Sequence, residues 1–256
     1  MRTIVALDYA EVSAKAAQVV ARQVLLHPTS VLGLATGDTP VGMYEKLVQL
    51  FRHGLVTFAG ATTFNLDEYR GLPADHPQAF ARYLRDRFFD HVDVLPENLH
   101  LLDGLARDPE EECRRYEAGI AQHGGLDLVV LGLGPNGHVA FNEPASEWGF
   151  GTRPVRLSED TRRRAAPRFG GLGHVPTHAV TLGIRAILGA RKLLLLVCGE
   201  EKAQVLNAVL WGPVTPTVPG SILQLHPDLT VIVDEELVAR VPMRQLDWDR
   251  LRRRCD

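Results

Sequence analysis

Short apolar runs recur along this chain, each followed by a stretch with helical spacing. That alternation limits the fold more than any other feature. Residues 3–7, 31–35, 61–65, 98–102, 126–133, 178–182, 192–198 and 230–233 read as strands. Helical patterns fall at 12–24 behind an Asp8-x-x-Glu11 capping box, from Pro40, over 79–89, over 109–122 and from about Glu200. Strands and helices alternating in this way require an α/β fold: a mostly parallel sheet with helices on both faces. The 256 residues suit one large domain, 1–256. In such sheets ligands bind beyond the carboxyl ends of the strands, so the residues that follow each strand are where chemistry is expected. Segment 147–175 breaks the pattern. It is rich in Gly, Pro and Arg, lacks a clear period, and reads as a long functional loop or lid.

Composition narrows the partners. A formal net charge of -3 provides no general attraction to nucleic acid or to an anionic membrane. An anionic ligand must therefore be held by a local site. The longest apolar run, 193–198, is far below membrane-spanning length. The opening MRTIVALDYAEV meets Asp8 and Glu11 after a short apolar stretch, with no small-residue cleavage site, so no secretory leader is expected. Cys113, Cys198 and Cys255 lie far apart and form no CxxC pair. Reduced thiols in a cytoplasmic protein are the simple reading.

Three strand ends carry candidate chemistry. The first is LGLATGDTP, 32–40, where Thr36 and Thr39 offer hydroxyls and Gly37 allows close backbone approach. Thr39 is expected to cap the next helix, with Pro40 in its first turn. A helix start suits a phosphate, although the Gly-Lys-Ser/Thr ending of a Walker loop is missing. An ordinary capped turn is the plainer alternative; under the phosphate reading Asp38 must turn its carboxylate away from the anion, or the loop is only structural. Lys202, after the strand at 192–198, falls in a first helical turn, where a cation asks for an anionic partner. A solvated surface lysine is the competing reading.

The second strand end, TTFNLDEYRGLP, places Asn65, Asp67 and Glu68 at a potential pocket mouth. A carboxylate there can abstract a proton beside a carbonyl or imine, and burial raises its basicity. Capping and turn formation are the duller uses. The third, LGLGPNGHVAFNEP, matches G-x-G-x-x-G literally at Gly132, Gly134 and Gly137. A dinucleotide site needs a helix opening at the third glycine, whereas 138–141 reads as extended or irregular and Pro144 soon follows. The stretch is better read as a polar cluster. Asn136, His138, Asn142 and Glu143 fall close together, with His138 able to move a proton at neutral pH and Glu143 able to orient it. No HxxxH or HxH occurs here, so no metal site is expected.

At these residues the sequence resembles the glucosamine-6-phosphate deaminase family over nearly its whole length. LGLATGDTP, FNLDEYRGLP, LGLGPNGHVAFNEPAS and SILQLHP at 221–227 carry the resemblance. It implies a three-layer α/β/α sandwich with a Rossmann-like sheet, and an aldose–ketose isomerisation of an amino sugar phosphate coupled to loss of ammonia. Asp67 matches the residue that moves hydrogen from C2 to C1 of the open-chain sugar. His138 matches the ring-opening acid–base residue, and Glu143 and Asn136 match its partners. Thr36, Gly37, Thr39 and Lys202 match the phosphate pocket, and Arg168 matches a lid arginine that contacts the phosphate. The amino group leaves after hydration at C2, so no metal or organic cofactor is implied. Oligomeric state varies in the family, which leaves a homo-oligomer open.

Three departures stand out. Asn136 replaces an aspartate found in some members, so the relay has one fewer charge. Asp38 replaces a small residue of the phosphate loop. Glu147 and Val155 stand where an allosteric site for an N-acetylated sugar phosphate would need a small hydroxyl and a cation, and the RLRRRCD ending also differs. No activation by that effector is expected. Galactosamine 6-phosphate deamination, 6-phosphogluconolactone hydrolysis and non-catalytic sugar-phosphate sensing are the competing functions.

Overall fold

The computed structural model describes residues 1–145 and 147–241. Ser146, Cys255 and the RLRRRCD ending lie outside the described residues. Among the described residues ten strands form: β1 (Arg2–Ala6), β2 (Val31–Leu34), β3 (Thr62–Asn65), β4 (Asp67–Tyr69), β5 (Leu99–His100), β6 (Leu128–Gly132), β7 (Arg153–Arg156), β8 (His178–Thr181), β9 (Lys192–Val197) and β10 (Leu229–Asp234). The helices are α1 (Tyr9–Leu26), α2 (Val41–Arg52), α3 (Phe80–Arg87), α4 (Pro109–Gln122), α5 (Glu159–Phe169), α6 (Ile184–Leu188), α7 (Ala203–Trp211) and α8 (Glu235–Arg240).

Seven strands make one sheet in the order β1-β10-β9-β6-β2-β3-β5, with every neighbouring pair parallel. The continuous apolar runs of β2, β6, β9 and β10 follow from this placement, because both faces of these strands are covered. Two apolar cores lie on opposite faces. One joins the sheet to Val12, Val20, Tyr44, Leu47 and Leu84 from α1, α2 and α3. The other joins it to Tyr116, Ile187, Leu206, Val209 and Leu237 from α4, α6, α7 and α8. The result is three layers, α/β/α. Asp8 caps α1 by accepting from the Glu11 N–H at 2.8 Å, while the Glu11 carboxylate accepts from the Leu7 N–H at 2.6 Å. Among the described residues no helix is long and apolar enough to cross a membrane.

Two sequence expectations need correction. The strand at 178–182 is not part of the main sheet. Its core, β8, lies between β4 and β7 in a separate antiparallel sheet, paired through Asp67↔Thr181 and Arg153↔Thr181. Segment 147–175 is not a structureless loop either, since it contains β7 and α5. α5 escapes the periodicity reading because only Thr161 and Ala165 are buried along it. Its support is polar: Ser158 caps it, and Arg163–Glu159 and Arg164–Asp160 pair one turn apart.

Candidate active site

The chain leaves β2 toward β3 and leaves β6 toward β9, in opposite directions along the sheet, although β2 and β6 are neighbours. Their loops therefore open a crevice at the topological switch point. A cavity of about 1070 Å³ lies there. Thr36, Gly37, Thr39, Asp67, Asn136, His138, Arg168 and Lys202 all line it, and Glu143 sits behind His138.

The loop after β2 turns on Gly37, whose φ of +98° is natural only for glycine. Thr39 does not cap α2, contrary to expectation. Pro40 takes the N-cap position without a side-chain bond, and the Thr39 hydroxyl instead faces Lys202 Nζ at 3.5 Å. Lys202 ends a 3-10 turn, Glu200–Lys202, that leads into α7. Across the cavity mouth the Arg168 guanidinium donates to the Asp38 carboxylate, an exposed pair.

Asp67 opens β4 directly after β3 and is buried. Desolvation, reinforced by the charge of Glu68, raises its pKa well above the carboxylate range. Glu68 is also buried, but its job is local. It accepts from the N–H groups of Tyr69, Phe80 and Ala81 at 2.8, 3.0 and 2.8 Å, fastening β4 to the start of α3. Burial outweighs these bonds and sets its pKa at about 7. Asn65 is structural as well, bridging the Asp67 carbonyl, the Leu102 N–H and the Tyr116 hydroxyl.

After β6 no helix opens at Gly137, so the glycine pattern does not build a dinucleotide loop. Gly134 is needed for another reason: a Cβ there would fall 2.2 Å from His138 Nε2. The imidazole thus lies flat over the loop. Its Nδ1 is 3.5 Å from Glu143 Oε2, too long for a well-formed hydrogen bond. Asn136 donates to the same carboxylate at 2.7 Å and Thr161 to its other oxygen at 2.5 Å. Burial acts to raise Glu143, yet the imidazole, Thr161 and Asn136 outweigh it and bring the pKa to about 2. Ala140, beside this cluster, holds φ +50°. It is the one non-glycine residue in the left-handed region among the described residues, a strain that marks a constrained loop.

Thr161, which also lines the cavity, belongs to none of the strand-end motifs. Its signal was the Ser158-x-x-Thr161 step with Glu159 and Asp160 between, a helix start hidden in an arginine-rich stretch. Among the described residues no group of three or more His, Cys, Asp or Glu is arranged to hold a metal ion.

A family model described as glucosamine-6-phosphate isomerases/6-phosphogluconolactonase matches residues 8–232. The chain belongs to the glucosamine-6-phosphate isomerase/6-phosphogluconolactonase family. It is 42% identical over 246 residues to the glucosamine-6-phosphate deaminase of Thermoanaerobacter pseudethanolicus, covering 96% of this chain and 97% of that one. It is 46% identical over 241 residues to the glucosamine-6-phosphate deaminase of Clostridioides difficile, covering 94% and 97%. Among solved structures, a monomeric glucosamine-6-phosphate deaminase superposes with a TM-score of 0.91 at 40% identity, over 94% of this chain and all of that one. The 6-phosphogluconolactonase of Trypanosoma cruzi, at 23% identity and a TM-score of 0.76 over 94% and 97% of the two chains, shows the shared family fold.

Proposed function

We propose that this enzyme converts glucosamine 6-phosphate and water to fructose 6-phosphate and ammonia in the cytoplasm. One observation carries the reading: a single cavity brings together an anion-compatible loop with Lys202 and Arg168, a buried carboxylate at Asp67, and the His138–Glu143 pair. The identities of 42% and 46% to glucosamine-6-phosphate deaminases support the substrate.

In this proposal Thr36, Gly37, Thr39, Lys202 and Arg168 hold the phosphate, which orients the sugar far from the reacting carbons. His138 protonates the ring oxygen and takes the O1 proton, opening the pyranose. Glu143, ionised down to about pH 2, balances the imidazolium that forms, and Asn136 and Thr161 hold that carboxylate in place. Asp67 removes the C2 proton and returns it to C1 while a proton passes from the amino nitrogen to O1, so that the C1 aldehyde becomes a hydroxymethyl group and an imine is left at C2. Water adds there and ammonia departs, so atoms balance without a redox step. The raised pKa of Asp67 makes it a stronger base than a solvated carboxylate.

The absence of effector control is part of the same proposal. Arg153 is committed to Asn142 Oδ1 at 2.9 Å and to the Gly149 carbonyl at 3.0 Å, and Val155 packs against the small core of Tyr69, Phe141 and Leu157. N-acetylglucosamine 6-phosphate is expected to leave the rate curve hyperbolic and unshifted. The test of function is ammonia release across a panel of hexosamine phosphates. Turnover of glucosamine 6-phosphate above its C4 epimer supports the reading. Ammonia from neither, with hydrolysis of 6-phosphogluconolactone, replaces it with the lactonase alternative.

A further inference from the structure

Three tyrosines from three helices converge on the loop after β2. Tyr44 of α2 donates to the Ala35 carbonyl at 2.6 Å. Tyr83 of α3 donates to the Gly37 carbonyl at 2.6 Å. Tyr9, the first residue of α1, donates to the Asp38 carbonyl at 3.2 Å and accepts from the Gly42 N–H at 2.9 Å. The last bond uses one of the free donors at the start of α2. It also ties the loop to the close α1–α2 contact, where a Cβ on Gly42 would meet Ser13 Oγ at 2.3 Å.

A trans peptide is planar, with its C=O and N–H pointing in opposite directions. The carbonyls held by Tyr44, Tyr83 and Tyr9 therefore turn the N–H groups of Thr36, Asp38 and Thr39 away from those hydroxyls, Tyr9 itself lying at the cavity wall. All three residues line the cavity. Among the described residues nothing accepts from the N–H groups of Thr36, Gly37, Asp38 or Thr39. Successive free amides held in one orientation make an anion-binding concavity. Left untethered, a loop turning on a glycine at φ +98° would have to be ordered by the ligand itself.

We propose that Tyr9 and Tyr83 are positioning residues for the substrate phosphate, holding the amides of the loop after β2 toward it while touching no reacting atom. This rests on the phosphate reading of that loop. Tyr44 is fully buried and belongs to the core, so the two outer tyrosines are the informative ones.

The experiment is steady-state kinetics with glucosamine 6-phosphate, together with competitive inhibition by inorganic phosphate. Wild type, Tyr83→Phe, Tyr9→Phe and the double variant are compared, each with its thermal midpoint. Each single change removes one hydroxyl. It is expected to raise KM and the phosphate inhibition constant together by about three- to ten-fold, the equivalent of the one hydrogen bond that each hydroxyl donates to a loop carbonyl. The double variant is expected to lose more than either single variant, departing from the product of the two because both hydroxyls hold one loop, with kcat within about two-fold throughout. A role confined to stability would lower the midpoint and the active fraction while leaving KM and the inhibition constant alone. That result, or unchanged constants in both single variants, overturns the proposal. If inorganic phosphate fails to compete even in the wild type, the phosphate reading of the loop fails, and the tyrosine proposal falls with it.

Discussion

Asp67 and Glu143 are two carboxylates of one site pushed in opposite directions. Asp67 is raised by desolvation and by Glu68, whereas Glu143 is brought to about 2 by the imidazole and two neutral donors despite its burial. Such divergence suits the proposed roles, Asp67 as proton acceptor and Glu143 as fixed counter-charge. It also fixes the sign of their stability terms. The native chain holds the Asp67 proton more tightly than the unfolded chain does. Asp67 therefore costs stability as pH rises above about 4, with the full cost present beyond its folded-state pKa. Asp67→Asn removes that cost. Its thermal midpoint is expected above wild type at pH 8, by about 2–4 °C for each kcal/mol relieved, and equal to wild type near pH 4. A pH-independent difference contradicts the burial argument. Glu143 has the opposite sign: its contribution is present above about pH 4.5 and is lost as pH falls toward about 2. At this scale the sequence located cavity-lining residues wherever they stand in a dense motif, as Asp67 and His138 do. It was misleading for Thr39, whose hydroxyl faces Lys202 instead of capping α2, because the choice depends on a side chain 163 residues away.

At the scale of elements, α5 is the piece that sequence periodicity missed. Its few buried side chains leave no apolar stripe, and Pro167 lies inside it. Yet α5 supplies Thr161 to Glu143 and Arg168 to the cavity mouth. β8 was legible as a strand but not as a member of a second sheet, since pairing partners leave no trace in a four-residue run. By contrast β2, β6, β9 and β10 were plain, because burial on both faces demands unbroken apolar runs. The hydroxyl of Thr161, which donates to Glu143, is the direct link between α5 and the proposed relay. Thr161→Val keeps shape and burial but removes a hydrogen bond to a charge, an interaction of about 1.5–3 kcal/mol. The expected result is a fall in kcat/KM of about ten- to a hundred-fold with the fold retained by circular dichroism. A variant with wild-type kinetics would detach α5 from the relay.

Across the whole molecule, the site depends on strand order. The crevice exists because β2 and β6 are neighbours whose chains depart in opposite directions, and the antiparallel β4-β8-β7 sheet brings Asp67 and α5 over it. Ligand binding should therefore stabilise the main sheet and the smaller one together. At a hundred-fold excess over Kd, a non-reacting sugar phosphate is expected to add about 2.7 kcal/mol to unfolding, seen as one shifted transition. Two transitions, of which only one moves, would show that the smaller sheet unfolds independently of the site.

The most direct test follows hydrogen at C2. Wild type in deuterated water should exchange the C2 hydrogen of glucosamine 6-phosphate and release ammonia. Asp67→Asn should bind inorganic phosphate with nearly wild-type affinity, yet neither exchange C2 nor release ammonia above the uncatalysed background. Wild-type exchange in Asp67→Asn, or a loss of phosphate binding equal to the loss of exchange, would contradict a buried base acting on a sugar anchored elsewhere in the cavity.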